Sequence, residues 1–296
     1  MMPPLFIVAP PRSFTSVVCA MLGCHPEAFG LAEINLFAGD TVAEMQDLYD
    51  VRPRLAHGLL RTISEIAFAE QTEESIETVR LWLRDNRGLS TIELFLTIQE
   101  WIGDKVLIDK SPLNVYFPES LQRIEKHMPD ARFLHLTRHP GDTVKSVLGV
   151  QQKLRGMESE RSQIVPVRQR QAPKTYWLTP HLHILEFLES VPIDRQMRLR
   201  GEDLLSDPEN YLRQIAEWLG IRTDAEAIGA MLHPEESPFS KYGPDNARLG
   251  NDPNFMEKPQ LRPYSYEPHP LTWTNADGEE QELDETVRAY AMMFGY

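Results

Sequence analysis

Three short, largely apolar runs constrain this chain more than any other feature: LFIVA (5–9), KVLID (105–109) and ARFLHLTR (131–138). Each is cut off by a polar turn. A strand with one face in water alternates apolar and polar residues. A strand apolar at nearly every position is covered on both faces, as parallel strands between helical layers are. MRLR (197–200) reads as a fourth, weaker strand, and Phe29-Gly30-Leu31-Ala32 as another short one. Between them lie helical patterns. Val17 to Leu22 is a helix that Gly23 ends, with Pro26 close behind. Residues 41–104 are mostly helical, with Leu55, Leu59, Leu60, Ile63, Ile66 and Ala67 on one stripe. Asp207-Pro208 opens an amphipathic helix carrying Leu212, Ile215, Ala216 and Leu219, and Gly220 stops it.

Strands alternating with helices imply an α/β fold. The expected architecture is a P-loop-like, three-layer fold in which helices flank a central, mainly parallel sheet. It forms one domain over residues 1–296, with a helical insert at about 41–104. Such sheets bind ligands at the carboxyl ends of their strands, so the chemistry belongs just after residues 9, 109 and 137.

Charge narrows the partners. The formal net charge is −14 over 296 residues, which repels nucleic acid and anionic membranes at long range. The run from Leu5 to Ala9 is too short to span a bilayer, and no basic segment precedes it, so the expected location is the cytoplasm. The two cysteines, Cys19 and Cys24, read as reduced structural thiols.

Two segments carry the chemistry. In APPRSFTSVV (9–18) a strand, a tight turn and a helix start gather free backbone N–H groups and the positive helix end, which makes an anion site. Arg12 adds a fixed charge, and Thr15 and Ser16 add hydroxyl donors; Ser13 and Phe14 complete the candidate binding turn. The turn lacks the lysine and glycines of a Walker A loop. Alone, it also fits an ordinary surface turn. In LTRHPGDTVKSV (136–147), Arg138 ends a strand and Ser146 lies two turns into the next helix. Alone, these fit a surface arginine and a helical serine.

Taken together and in this order, the two segments resemble the PAPS-dependent sulfotransferase family, where PAPS is 3'-phosphoadenosine-5'-phosphosulfate. The resemblance is to the bacterial small-molecule and natural-product type, related to tyrosylprotein sulfotransferases. Its first loop, P-[RK]-S-G-[ST]-[ST], holds the 5'-phosphosulfate. A strand-ending arginine and a serine eight residues later hold the 3'-phosphate, and Arg138 and Ser146 have that separation. A third block, from Gly201-Glu202-Asp203-Leu204 to Leu219-Gly220, is similar to a late segment of the family.

The resemblance implies a sulfotransferase that moves a sulfuryl group from PAPS to a hydroxyl acceptor, free or carrier-tethered, giving PAP and a sulfate ester without a metal. It gives Lys110, in DKSP (109–112), a contact with the bridging oxygen, and Glu33 the acceptor proton. His181 and His183 compete with Glu33 as base. Arg248 and Gly250, in the loop at 237–256, match a late nucleotide-covering loop. Two departures stand out. Phe14 replaces the loop glycine, and Gly201 replaces a tyrosine near the adenine, which leaves Trp177, Tyr242 or Phe239 to stack on the base.

Residues 151–174 set six cations against two glutamates, which fits a flap that draws in anions or a solvated loop. Two other classes stay open at this point. One is a nucleotide-dependent kinase, which would need Mg²⁺. The other is a non-catalytic nucleotide-binding relative. Oligomeric state and acceptor are open.

Overall fold

The computed structural model describes residues 1–157, 172–275 and 277–296. The basic segment 151–174 therefore lies largely outside the described residues. Five parallel strands form the sheet: β1 (Leu5–Val8), β2 (Ala28–Gly30), β3 (Val106–Asp109), β4 (Arg132–Thr137) and β5 (Gln196–Arg200). Their order is β2-β3-β1-β4-β5. All four neighbouring pairs are parallel.

The doubly apolar runs work as expected. Leu5 and Ile7 face one way, Phe6 and Val8 the other, and all four are buried. Leu5 and Ile7 pack with α1 (Thr15–Gly23) and with residues of three later helices. Phe6 and Val8 pack against the insert, which comprises α2 (Val42–Val51), α3 (His57–Phe68), α4 (Glu73–Asp85) and α5 (Thr91–Ile102). α6 (Leu113–Tyr116) and α7 (Pro118–His127) follow β3, and α8 (Pro140–Met157) and α9 (Thr179–Leu188) follow β4. α10 (Gly201–Ser206), α11 (Pro208–Leu219) and α12 (Ala225–Met231) return to the α1 face. Then come α13 (Pro253–Glu257), a hairpin of β6 (Thr272–Thr274) and β7 (Glu280–Glu282), and α14 (Glu285–Met293).

Three of the four insert helices, α2, α4 and α5, start where a side chain caps them. Thr72 and Ser90 each close a capping box ahead of α4 and α5. Among the described residues no helix is long and apolar enough to cross a membrane. Cys19 and Cys24 are free thiols.

The strand order decides where a ligand goes. After β1 the chain turns towards β2 at one edge; after β4 it turns towards β5 at the other. β1 and β4 are neighbours, so their following loops diverge and leave a crevice at their carboxyl ends.

Candidate active site

That crevice opens into a cavity of about 840 Å³. Arg12, Thr15, Ser16, Arg138 and Ser146 line it at the sheet end, and Glu33, Asn35, Arg54 and Leu55 line it towards the insert. The loop after β1 is built tightly. Arg12 (φ 70°) and Phe14 (φ 63°) both take the left-handed conformation that favours glycine. Phe14 is also the N-cap of α1, and no side chain caps that helix. The N–H groups of its first turn are therefore left for a ligand. Ser13 is fully buried, its Oγ has no hydrogen-bond partner among the described residues, and it does not line the cavity.

Arg12 and Arg138 meet at the crevice. Arg138 Nη1 donates to the Arg12 carbonyl at 2.7 Å, and Arg12 Nε donates to Ser146 Oγ at 3.0 Å. The spacing read from sequence therefore brings Arg138 and Ser146 to one place. Burial lowers the Arg138 pKa from its ordinary value, opposed by Asp142 and Glu202. A guanidinium stripped of water in this way gains from an incoming anion. Asp252 pairs with Arg12, both side chains being largely buried.

Lys110 follows β3, and its side chain is wholly buried. Its ammonium donates to Ser16 Oγ at 3.0 Å, Glu33 Oε1 at 2.7 Å and Asn251 Oδ1 at 2.7 Å. It thus bridges the phosphate-type loop and the carboxylate on the insert side. Glu33 is held through its backbone as well: its N–H donates to the Gly250 carbonyl at 2.7 Å. Asp109, just before Lys110, is not available to a ligand. It is fully buried and accepts from Ser111 Oγ at 2.6 Å and Asn114 Nδ2 at 2.8 Å. Burial raises its pKa to about 6.

The other sequence candidates lie as follows. His181 is fully buried and bonded to His135 at 2.9 Å, and His183 reaches the Val115 carbonyl. Neither lines the cavity, whereas Glu33 does. Trp177 is buried with its indole N–H on the Arg138 carbonyl at 2.7 Å. Neither it, Phe239 nor Tyr242 lines the cavity; the aromatic residues that do are Phe14, Phe255 and Tyr264. Arg248 points instead over the Tyr242 ring, 5.1 Å away, while Gly250 (φ +100°) does line the cavity. The loop's contribution comes from Asn251 and Asp252, which composition alone marked only as loop residues.

One group of metal-type side chains occurs among the described residues: His139, Asp142 and His269, with ligand atoms within 4.8 Å of one another. Burial, then His269 and Arg138, depress the His139 pKa; the group adjoins the Arg138 charge and sits at the positive end of α8. Both features oppose a divalent cation.

A doubly wound sheet whose switch point gathers two arginines, a buried lysine and an uncapped helix start defines a class of α/β protein that handles phosphate- or sulfate-bearing ligands. The sulfotransferase family profile matches residues 3–225, and the chain belongs to that family. It is a transferase of the sulfotransferase type. The fold is similar to the sulfotransferase domain from the curacin biosynthetic pathway, at 22% identity and TM-score 0.76, covering 100% of this chain and 98% of that one. It is also similar to the sulfotransferase domain of the Synechococcus PCC 7002 olefin synthase, at 23% identity and TM-score 0.74, covering 100% of this chain and 96% of that one. No curated protein sequence matches.

Proposed function

We propose that this sulfotransferase takes its sulfuryl group from PAPS and passes it to a hydroxyl on a small or carrier-tethered acceptor, releasing PAP. The observation that carries this reading is Lys110. Its ammonium touches Ser16 of the anion loop and Glu33 of the acceptor side at once. A cation between donor and acceptor stabilises charge that moves from one to the other.

PAPS supplies the sulfuryl group; the residues supply position and charge. The first-turn N–H groups of α1, with Arg12, Thr15 and Ser16, hold the 5'-phosphosulfate. Arg138 and Ser146 hold the 3'-phosphate. The acceptor oxygen attacks sulfur as the bond from sulfur to the phosphate oxygen breaks, and Glu33 takes the acceptor proton. Lys110 stabilises the departing phosphate oxygen. Transfer of this kind has a loose transition state, so positioning and electrostatics supply most of the rate. Arg54 and Leu55, in the turn at Pro53–Ala56, line the acceptor side, which gives the helical insert a role in acceptor choice. The curacin-pathway and olefin-synthase contexts of the two similar domains are the reason to assay a carrier-tethered hydroxyl beside a free one.

The kinase reading needs an acidic side chain free to hold Mg²⁺ near the loop. Asp109, the acidic strand end, is occupied by Ser111 and Asn114.

Thermal stabilisation by PAP, by ADP with Mg²⁺ and by 5'-AMP tests the reading. A ligand at a hundred times its Kd adds about 2.7 kcal/mol. PAP is expected to stabilise the protein strongly, ADP–Mg²⁺ and 5'-AMP far less, and Arg138→Ala to remove the PAP effect. Equal stabilisation by ADP–Mg²⁺ would return the chain to the kinase class.

A further inference from the structure

Phe14 and Gly201 lie in separate parts of the chain and each departs from the family pattern. In the structure they are one feature. A Cβ built on Gly201 would stand 2.4 Å from Phe14 Cδ2 and 3.2 Å from Cε2. The Phe14 ring fills the space a side chain at 201 would enter. Its backbone is at φ 63°, a strained conformation for a large L residue, held only where the surroundings over-determine it. Those surroundings are visible. The Arg138 guanidinium lies over the ring at 4.4 Å, and the Tyr264 ring meets it edge-on at 6.0 Å.

We propose that Phe14 and Tyr264 form the aromatic wall of the nucleobase subsite, and that glycine at 201 is the condition for Phe14 to stand there. This rests on the PAPS reading above. Both rings line the cavity, with Leu205 and Leu261 beside them and the phosphate-binding Arg12, Arg138 and Ser146 on the same cavity. An apolar aromatic wall adjoining paired arginines suits the base of a phosphorylated nucleoside. The Arg138–Phe14 contact links the two subsites: the ring that meets the base also fixes the arginine that meets the phosphate.

The test measures binding of PAP and of its baseless counterpart, 1-deoxyribose 3,5-bisphosphate, by calorimetry. Wild type should prefer PAP. Losing one aromatic wall residue costs about tenfold or more in base-dependent affinity. Phe14→Leu and Tyr264→Leu should each shrink the preference by that much. Tyr264→Leu should change affinity for the baseless ligand by less than about threefold, since its phosphate contacts remain, whereas Phe14→Leu should weaken the baseless ligand too, because it frees Arg138, but by less than it weakens PAP. Gly201→Tyr alone should abolish PAP binding by collision with the ring, and Gly201→Tyr with Phe14→Gly should restore it. An undiminished PAP preference in both leucine variants, or normal PAP binding by Gly201→Tyr, overturns the subsite. Failure of wild type to bind either ligand instead overturns the PAPS reading, and the subsite with it.

Discussion

The Lys110 ammonium is out of water and has three oxygen partners, one each from the anion loop, the insert side and the late loop. Burying a charge without partners costs several kcal/mol, so this lysine is tolerable only because all three oxygens are present. Histidines show the opposite solution: they stay neutral. Arg198 Nε donates to His135 Nδ1 at 3.1 Å, which makes His135 Nε2 the donor to His181 Nδ1. Burial pushes the His135 pKa down to about 3, His57 to about 4, and His181 well below its usual range. A lowered histidine binds its proton in the unfolded chain before it does in the folded one. Stability should therefore fall as pH drops from about 6.5 towards 4. Asp109 works the other way, because its raised pKa favours the folded state as pH falls from about 6. Glu202, also raised by burial, acts in the same direction as Asp109, but with His139 lowered to about 4 as well, four imidazoles outweigh the two carboxyls. Urea unfolding at pH 7 and pH 5 should show the loss, and His181→Gln should show a smaller difference between the two pH values. No change with pH in wild type would contradict this account.

At the scale of elements, the strands place Arg12, Arg138 and Lys110, and the insert places the Glu33 carboxylate. α3 does the latter by close approach. A Cβ on Gly58 would stand 2.0 Å from the Glu33 carbonyl oxygen, and one on Gly250 would stand 2.7 Å from Gly58 Cα. Three backbones meet there, and a methyl group has no room. Gly58→Ala should displace Glu33 and destabilise the protein by about 1–3 kcal/mol, the usual cost of overpacking. That is read as a melting temperature lower by several degrees. PAP affinity should hold within about twofold, because the phosphate groups belong to the loops after β1 and β4 and not to α3. Equal loss of PAP binding would mean that α3 supports the whole cavity.

Across the whole molecule, the far end of the chain buttresses the anion site. The Tyr296 hydroxyl donates to Glu202 Oε2 at 2.9 Å, and Glu202 Oε1 accepts the His139 N–H at 2.8 Å, one residue past Arg138. Thr137, at the end of β4, also meets Tyr296 at 3.0 Å. Glu202 is buried, and burial raises its pKa, so the carboxylate depends on these donors. Tyr296→Phe leaves a buried carboxylate short of a partner and should cost about 1–3 kcal/mol by urea unfolding, with weaker PAP binding. A neutral result would mean that water replaces the phenol. The same scale explains how an acidic chain can bind an anion. The net charge is −14, yet Arg12, Arg138 and Lys110 converge on one crevice, where proximity outweighs distant repulsion.

By itself, the sequence determined the parallel sheet, because short runs apolar on both faces, alternating with helical segments, fit strands covered by helices on both sides. It determined the turn after β1 and the Arg138–Ser146 spacing, because strand-to-helix turns at a sheet's carboxyl end are local structures. It also singled out Glu33 and Lys110. Only the tertiary structure joined those two, and brought Asn251 and Asp252 from a loop that looked featureless to Lys110 and Arg12. It set Trp177, His181 and His183 outside the cavity lining, buried or bonded elsewhere. It showed that Phe14 and Gly201 occupy one volume. Local rules fix what a segment can become. Which distant side chains share a cavity is set by how strands and helices pack, and no spacing along the chain records that.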